Sequence, residues 1–548
     1  MKKILAAALA AALIACPFTS AFAKGTDAAP SGRTGGVIIE QGASSENYLA
    51  ESAGKAPELP AAYSSVEMGY VTPVKNQGKQ NTCIIFSGIA AMESALLRNG
   101  YGEYDLSEEH ANYWASKRID GTGWQRDRVN TGAFPYTAYG YLTTGGVVAD
   151  SELPYMSRTE KYFEELNPIE PLFYAGGIKL LSGPDLDAAA FKTAIMENGG
   201  VVASFALTDT HLNRNTNSFF CGVTLPTNEL SLYAHSVFVV GWDDNYPKEN
   251  FKSDHQPQNN GAWLIKNSWG DTLSYIWVSY EDKYLGAEIF GGNYAINDII
   301  KNHSCNELLS VDSYGPLYNI EFYNDNGNNI TDAVFINTFS FRKEMPSISS
   351  VEFSTSSIGA DYTIYYIPAS DGTPTDDESQ WTKLTSGIIS YAGIHNISFK
   401  PYTVPDSKGA IGVKITTKDG STASMGCCEW LGNYEAGEFK MLPRTLDNRS
   451  FVISGGNSFS LTDFYNSLDD NIGGNFTIRA VANVRKGDVN KDGSITLGDA
   501  IFIQKQANSS ISLDSDIVEY VADLDGSGSV NLIDAVMVQK TALNLIAG

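Results

Sequence analysis

Near the C-terminus the chain carries the same twelve-residue pattern twice. Asp488, Asn490, Asp492, Ser494, Thr496 and Asp499 stand at positions one, three, five, seven, nine and twelve of a first loop. Asp523, Asp525, Ser527, Ser529, Asn531 and Asp534 fill the same positions of a second, 35 residues later. Oxygen donors at this spacing surround one Ca²⁺ per loop, position seven giving its backbone carbonyl, and Gly493 and Gly528 at position six permit the sharp turn. Three carboxylates converge in each loop (Asp488, Asp492 and Asp499; Asp523, Asp525 and Asp534), and their repulsion opposes folding unless a cation sits between them. A tail this short has too little apolar core to offset that repulsion. Residues 499–505 and 534–540 are near copies and read as short helices. The tail, residues 486–548, is therefore expected to be a small all-α module holding two calcium ions.

The chain has 548 residues, enough for about three domains of ordinary size. Its formal net charge of −25 argues against nucleic acid as a partner, because phosphate binding needs basic patches. At the N-terminus, Lys2 and Lys3 precede an apolar run from Ile4 to Ala15, and Ala21, Phe22 and Ala23 form a small-residue cleavage site. Residues 1–23 thus read as a secretory signal. The run is shorter than the ~20 residues a membrane span needs, and no later stretch reaches that length. Lipid anchoring through Cys16 competes with cleavage after Ala23, but Pro17 directly after the cysteine disfavours it. Residues 24–57 are rich in Gly, Ala and Ser without a period and read as a leader, pro-segment or linker.

Two segments lie between. Residues 306–485 alternate strand-like runs, such as 362–367, 410–415 and 476–481, with Gly/Asn/Asp/Ser turns, which is the pattern of an antiparallel β-sandwich. Trp381 or Trp430 could stack on a glycan, although a core role is commoner for any tryptophan, and a domain that merely packs on its neighbour is an equal alternative. In residues 58–305, Ile85, Ile89, Met92 and Leu96 mark one buried helical face. Asn99 and Gly100 supply its stop, and Asn81 or Thr82 can cap its start. Cys83 therefore sits in the first turn, where the helix dipole favours an anion. Without context, a small buried core cysteine is the commoner reading.

Context is supplied by three ordered motifs. Gln77, Gly78, Cys83, Phe86 and Ser87 are in register with the nucleophile segment of papain-like cysteine peptidases. His235, Ala234 and the apolar run to Gly241 resemble that family's histidine strand. Lys266, Asn267, Ser268, Trp269 and Gly270 resemble its Lys-Asn-Ser-Trp-Gly signature. Leu106, Ser107 and Glu108, with Gly145, Gly146, Pro154 and Tyr155, extend the resemblance over roughly residues 59–290, in the bacterial branch with a C-terminal lectin-like domain. The resemblance implies an α+β fold, Cys83 as nucleophile, His235 as base, and Asn267 as the residue that orients it. It further implies Gln77 as a side-chain donor of the oxyanion hole, Trp269 as a shield over the His235–Asn267 bond, and no cofactor for catalysis. A cysteine paired with histidine at a helix start has its pKa lowered by several units, and papain is itself the standard example.

The sequence also departs from the family. His235 and Asn267 follow Cys83 by 152 and 184 residues, against roughly 130–150 in the family, so loops are longer, including residues 243–260. Gln80 stands where the family has a cysteine, so the usual disulfide cannot form. Ile84 replaces a tryptophan and is expected to remove an aromatic wall from the cleft. Cys221, Cys305, Cys427 and Cys428 allow three pairings, and the adjacent pair can form a vicinal bridge or stay reduced.

An EF-hand would carry Glu at position twelve and a helix before the loop; here the residue is Asp, and no helical period precedes Asp488. Paired half-EF-hands at a C-terminus resemble a dockerin, which implies a cohesin module of a scaffoldin as partner. Its contacts are expected at Leu497, Gly498, Leu532 and Ile533. The chain is thus expected to be multidomain, with a papain-like peptidase, a lectin-like β-sandwich and an all-α dockerin. The resemblance implies a secreted, complex-bound cysteine endopeptidase of a cellulosome-like assembly, acting on a protein or peptide substrate. The alternatives are a catalytically silent adhesion or carbohydrate-binding subunit, and a transferase or transpeptidase on the same triad.

Overall fold

The computed structural model describes residues 58–116, 123–126, 132–156, 167–312, 314–323, 327–369, 371–431, 439–442, 448–455, 457–468 and 472–545. The signal and leader expected over residues 1–57 lie outside them, as does the side chain of Trp430. Among the described residues the α-helices are α1 (Cys83–Arg98), α2 (Glu108–Trp114), α3 (Pro135–Gly140), α4 (Ala188–Asn198), α5 (Thr227–Tyr233), α6 (Leu461–Leu468), α7 (Leu497–Ala507) and α8 (Leu532–Ala542). None is long and apolar enough to cross a membrane.

The apolar period of α1 is buried as its spacing requires: Ile85, Ile89, Met92 and Leu96 are each at most 1% exposed. The helix stops at Asn99, and Gly100 follows in the left-handed region at φ +79°. Its start differs in one respect from expectation. Thr82 is the N-cap residue, but its side chain caps nothing. α1 packs against the strand Ala234–Asp243, which is buried at nearly every position and pairs antiparallel with Val201–Ala206 on one side and Ala262–Lys266 on the other. This layer brings the helix of Cys83, the strand of His235 and the end of the strand before Asn267 side by side.

That sheet does not stop at the end of the first segment. It continues through Asn293–Lys301 and Phe173–Leu181, and there Gly393 and Ile394 pair with Lys179 and Ile178. Beyond Gly393–Thr403 it runs through Ser347–Thr355 and Ile478–Asn483 to Asn306–Leu309, thirteen strands in all. One face of the β-sandwich is thus the same sheet as the α+β layer. Gly393 makes the join: at φ +128°, an added Cβ would lie 2.0 Å from the carbonyl oxygen of Ile178.

The opposite layer is a six-stranded sheet in the order Thr382–Ile388, Asp361–Pro368, Lys408–Thr416, Asp332–Ser340, Ser450–Ser454 and Asn457–Ser460, beside a three-stranded sheet centred on Ser424–Leu431. The apolar run 476–481 is not one strand. It breaks at Thr477, so that Ile472–Phe476 joins the three-stranded sheet and Ile478–Asn483 the large one. Trp381 packs edge-on against Tyr365 and donates its Nε1–H to the Thr375 carbonyl, a structural use of the ring. None of the cysteines among the described residues is in a disulfide. Cys427 faces the sandwich core and Cys428 the α+β core; neighbours in a strand point to opposite faces, which rules out the vicinal bridge.

Arg479 ties the large sheet to the Tyr141–Gly145 turn of the α+β segment. Fully buried, it bonds both oxygens of Asp312 at 2.9 and 2.6 Å, lies 3.4 Å from Glu352, and donates to the Thr143 carbonyl at 3.2 Å. The C-terminal helices rest on this body too. His303 stacks on Tyr520 at 3.7 Å, Lys491 reaches the Ser304 carbonyl at 2.9 Å, and Cys305 and Met345 share a core with Val489, Ile503 and Val538.

Candidate active site

Cys83 opens α1 and is fully buried. Its sulfur accepts the backbone N–H of Ser236 at 3.4 Å, so a donor beyond the helix's own first-turn amides faces it, and both favour the anion. Ser236 is held in turn by its hydroxyl, 2.8 Å from that of Ser87 on α1. The neighbouring residue is His235, 6% exposed.

His235 Nε2 lies 2.8 Å from Asn267 Oδ1. The carboxamide oxygen only accepts, so Nε2 carries the proton and Nδ1 is left as the basic nitrogen. Asn267 is itself fixed, its Nδ2 donating to the Leu273 carbonyl at 2.8 Å and its backbone N–H to Ser274 at 2.9 Å. Trp269 covers this pair, its ring 5.1 Å from that of His235. Gln77, 4% exposed, has its carboxamide oriented at both ends: Ser268 Oγ donates to Oε1 at 2.5 Å, and Nε2 donates to the Gln80 carbonyl at 2.6 Å. These two bonds leave the second N–H of that amide unused.

The five residues singled out from sequence, Cys83, His235, Asn267, Gln77 and Trp269, are therefore brought to one place. The sequence assigns no role to Ser87, Ser236 or Ser268, although Ser87 and Ser268 stand in the matched motifs. Ile84 is 1% exposed and lies in the core beside Cys83.

Beneath the site, Lys75 Nζ lies 2.7 Å from Glu93, 2.7 Å from Asp105 and 3.1 Å from Glu108. Burial works against its charge, but Glu108, Glu93 and Asp105 outweigh it and hold the ammonium above its ordinary range. Lys266, beside Asn267, donates to Thr72 Oγ1, which donates to Glu93; burial lowers its pKa to about 8.

In the tail, Gly493 and Gly528 adopt φ +83° and +81°, as position six requires. Asp499 and Asp534, at position twelve, are fully buried at the starts of α7 and α8. Asp523, Asp525 and Asp534 bring carboxylate oxygens within 4.8 Å of one another. Asp488 binds the first loop closed through the N–H groups of Asp492 and Gly493. Burial, then the charges of Asp499 and Asp492, push its carboxyl pKa up. An all-oxygen, acid-rich donor set of this kind fits Ca²⁺. Asn490 and Asp492 are bonded to each other, and Thr496 and Asn531 cap their helices. Of the expected partner contacts, Leu497, Leu532 and Ile533 are 49%, 62% and 59% exposed, and Gly498 is half-buried.

Family models match three stretches: papain family cysteine protease over residues 59–283, lectin-like domain over 317–482, and dockerin type I domain over 486–543. The fold is similar to the cysteine protease and lectin-like domains of Cwp84, a surface layer associated protein of Clostridium difficile, at 30% identity and TM-score 0.68, covering 82% of this chain and 93% of that one. It is also similar to clostridial Cwp84 after propeptide cleavage, at 30% identity and TM-score 0.66, over 77% and 99% of the two chains. Cathepsin L2 of Homo sapiens is 25% identical over 217 residues, 39% of this chain and 58% of that protein. The chain spans less than two thirds of the length of the curated relatives it matches.

Proposed function

The chain belongs to the papain family of cysteine proteases, with a lectin-like domain and a type I dockerin, and from that premise we propose that it hydrolyses peptide bonds with Cys83, His235 and Asn267 as its triad. The Cys83 thiolate attacks the scissile carbonyl. His235, protonated at Nδ1, gives that proton to the leaving amine, and a thioester remains. Water, deprotonated by Nδ1, then attacks the thioester, and the acid and the Cys83 thiolate are released beside a protonated His235. The oxyanion formed in each half-reaction is met by the Cys83 backbone N–H and the open N–H of Gln77. The observation that carries this reading is the 2.8 Å bond between His235 and Asn267, set beside a sulfur held by the very next backbone amide.

The test is labelling of the protein with a peptidyl epoxide, followed by location of the adduct. An adduct on Cys83 and loss of hydrolysis in Cys83→Ala are expected; undiminished turnover by that variant refutes the assignment.

Each tail loop holds one Ca²⁺ in this proposal, and the exposed Leu497, Leu532 and Ile533 meet a cohesin of an extracellular scaffold. The lectin-like domain offers a glycan a groove of about 750 Å³ lined by Lys408, Asp371, Asp463, Arg449 and Phe459, whose mixed charges suit a polyhydroxylated ligand better than a polyanion. Secretion by the 1–23 signal is part of the same reading.

A further inference from the structure

The loop from Gln77 to Thr82 carries the oxyanion donor at one end and the N-cap of the nucleophile helix at the other. The cysteine that would brace it by a disulfide in the family is Gln80 here. We infer that, with that disulfide absent, Tyr155 braces the loop and is a positioning residue of the oxyanion hole.

Tyr155 OH lies 3.1 Å from the Gln77 carbonyl and 3.0 Å from Thr82 Oγ1. A carbonyl only accepts, so the phenol donates to Gln77 and must accept from Thr82. The relay Thr82 to Tyr155 to Gln77 therefore ties both ends of the loop to one atom, and it gives the Thr82 hydroxyl, which caps nothing, its partner. The Gln77 carbonyl also accepts the Gln80 N–H at 3.4 Å, which fills both of its lone pairs.

Tyr155 is itself held from elsewhere. Its ring meets Phe86 of α1 edge-on at 4.9 Å. Ser107 Oγ donates to the Leu153 carbonyl at 2.5 Å, and the Met156 N–H donates to Glu109 at 3.1 Å. The start of α2 thus fixes the segment on both sides of Tyr155. Two covalently remote parts of the chain are in this way coupled to the placement of Gln77.

The inference rests on the reading of Gln77 as an oxyanion donor, and the experiment separates the two. Gln77→Ala, Tyr155→Phe and wild type are compared by hydrolysis, by a reversible peptide aldehyde, and by the irreversible epoxide. The aldehyde adduct carries an oxyanion-like oxygen, whereas epoxide opening needs the thiolate but no acyl oxyanion. Tyr155→Phe keeps the contact with Phe86 and should lower kcat about five- to tenfold with KM nearly unchanged, the worth of one hydrogen bond. It should weaken the aldehyde by the same factor and leave the epoxide rate unchanged, with a small fall in melting temperature from the two lost bonds. Thr82→Val should show part of the effect and Thr82→Ser none.

If Gln77→Ala weakens the aldehyde and Tyr155→Phe does not, the brace is wrong and the Gln77 reading stands. If Gln77→Ala leaves the aldehyde affinity intact, the Gln77 reading falls, and the inference with it. If the epoxide rate of Tyr155→Phe falls in step with kcat, Tyr155 acts through Cys83 rather than the oxyanion loop, which also overturns the inference.

Discussion

Asn267 uses its side chain at both ends, and only the oxygen faces the histidine. Asn267→Ala therefore removes the acceptor that fixes the His235 tautomer and leaves the buried Leu273 carbonyl without that donor. We expect kcat to fall by roughly ten- to a hundredfold, and stability by about 1–3 kcal/mol; kinetics and thermal melting on one preparation check both. Asn267→Asp keeps the acceptor but turns a carboxylate oxygen towards that carbonyl, and should be no better. A fall in stability with unchanged kcat would mean that the ring is oriented by something else. Residue types and order were legible here because catalysis needs particular chemical groups at particular loop ends. The serines were not: Ser87, Ser236 and Ser268 act through hydroxyls that only a fold brings within 2.8 Å of their partners.

Cys305 provides a test of the tail at the scale of its elements. It belongs by sequence to the strand region before Asn306–Leu309, yet it is 1% exposed in a core shared with α7 and α8. If calcium holds the two loops closed, a chelator should loosen that core and make Cys305 react with a maleimide. Excess calcium should protect it again, and Cys427, in the sandwich core, should stay protected throughout. Labelling of Cys305 that ignores the chelator would show that the helices stay seated without calcium. The loops and both helices were readable from the repeat. Their seat on His303, Ser304 and Met345 was not, because it depends on two distant segments with no shared pattern. The division of 476–481 at Thr477 escaped notice for a similar reason: an apolar run has the same period whether it serves one sheet or two.

Among the described residues, the α+β segment and the β-sandwich are joined by a shared sheet and by the buried Arg479 cluster. Arg479→Met leaves Asp312 and Glu352 buried without their counter-ion and should cost about 3–5 kcal/mol, read as a lower denaturation midpoint for the peptidase and lectin-like parts together. A fragment ending near residue 305 would lose Ile394, Tyr314 and Cys428 from the α+β core and free the edge of Phe173–Leu181. It should therefore be insoluble, and a soluble, active fragment would show the join to be dispensable.

The joining strand should also be sensitive to acid. His395 is buried, donates to the Tyr391 carbonyl at 3.0 Å, and has its pKa lowered to about 4 by burial. The unfolded chain, titrating near the ordinary value, binds more protons between about pH 6.5 and 4. Stability is thus fully present above that window and is lost as pH falls through it, by up to about 3 kcal/mol for this one group. In His395→Phe the slope of melting temperature against pH between 7 and 4 should flatten; an unchanged slope would place the titration elsewhere.

The amino-acid sequence by itself determined the chemistry: a cysteine at a helix start, a histidine and an asparagine at strand ends, and oxygen ligands at calcium spacing. These are local, since each follows from residue type and short-range period. What only the tertiary structure decided is how they are held. Gly393 lets two sheets become one, Arg479 ties three carboxyl and carbonyl partners from separate segments, and Tyr155 meets a loop 78 residues before it. Such contacts depend on the path of the chain through space, and no periodicity in the sequence records that path.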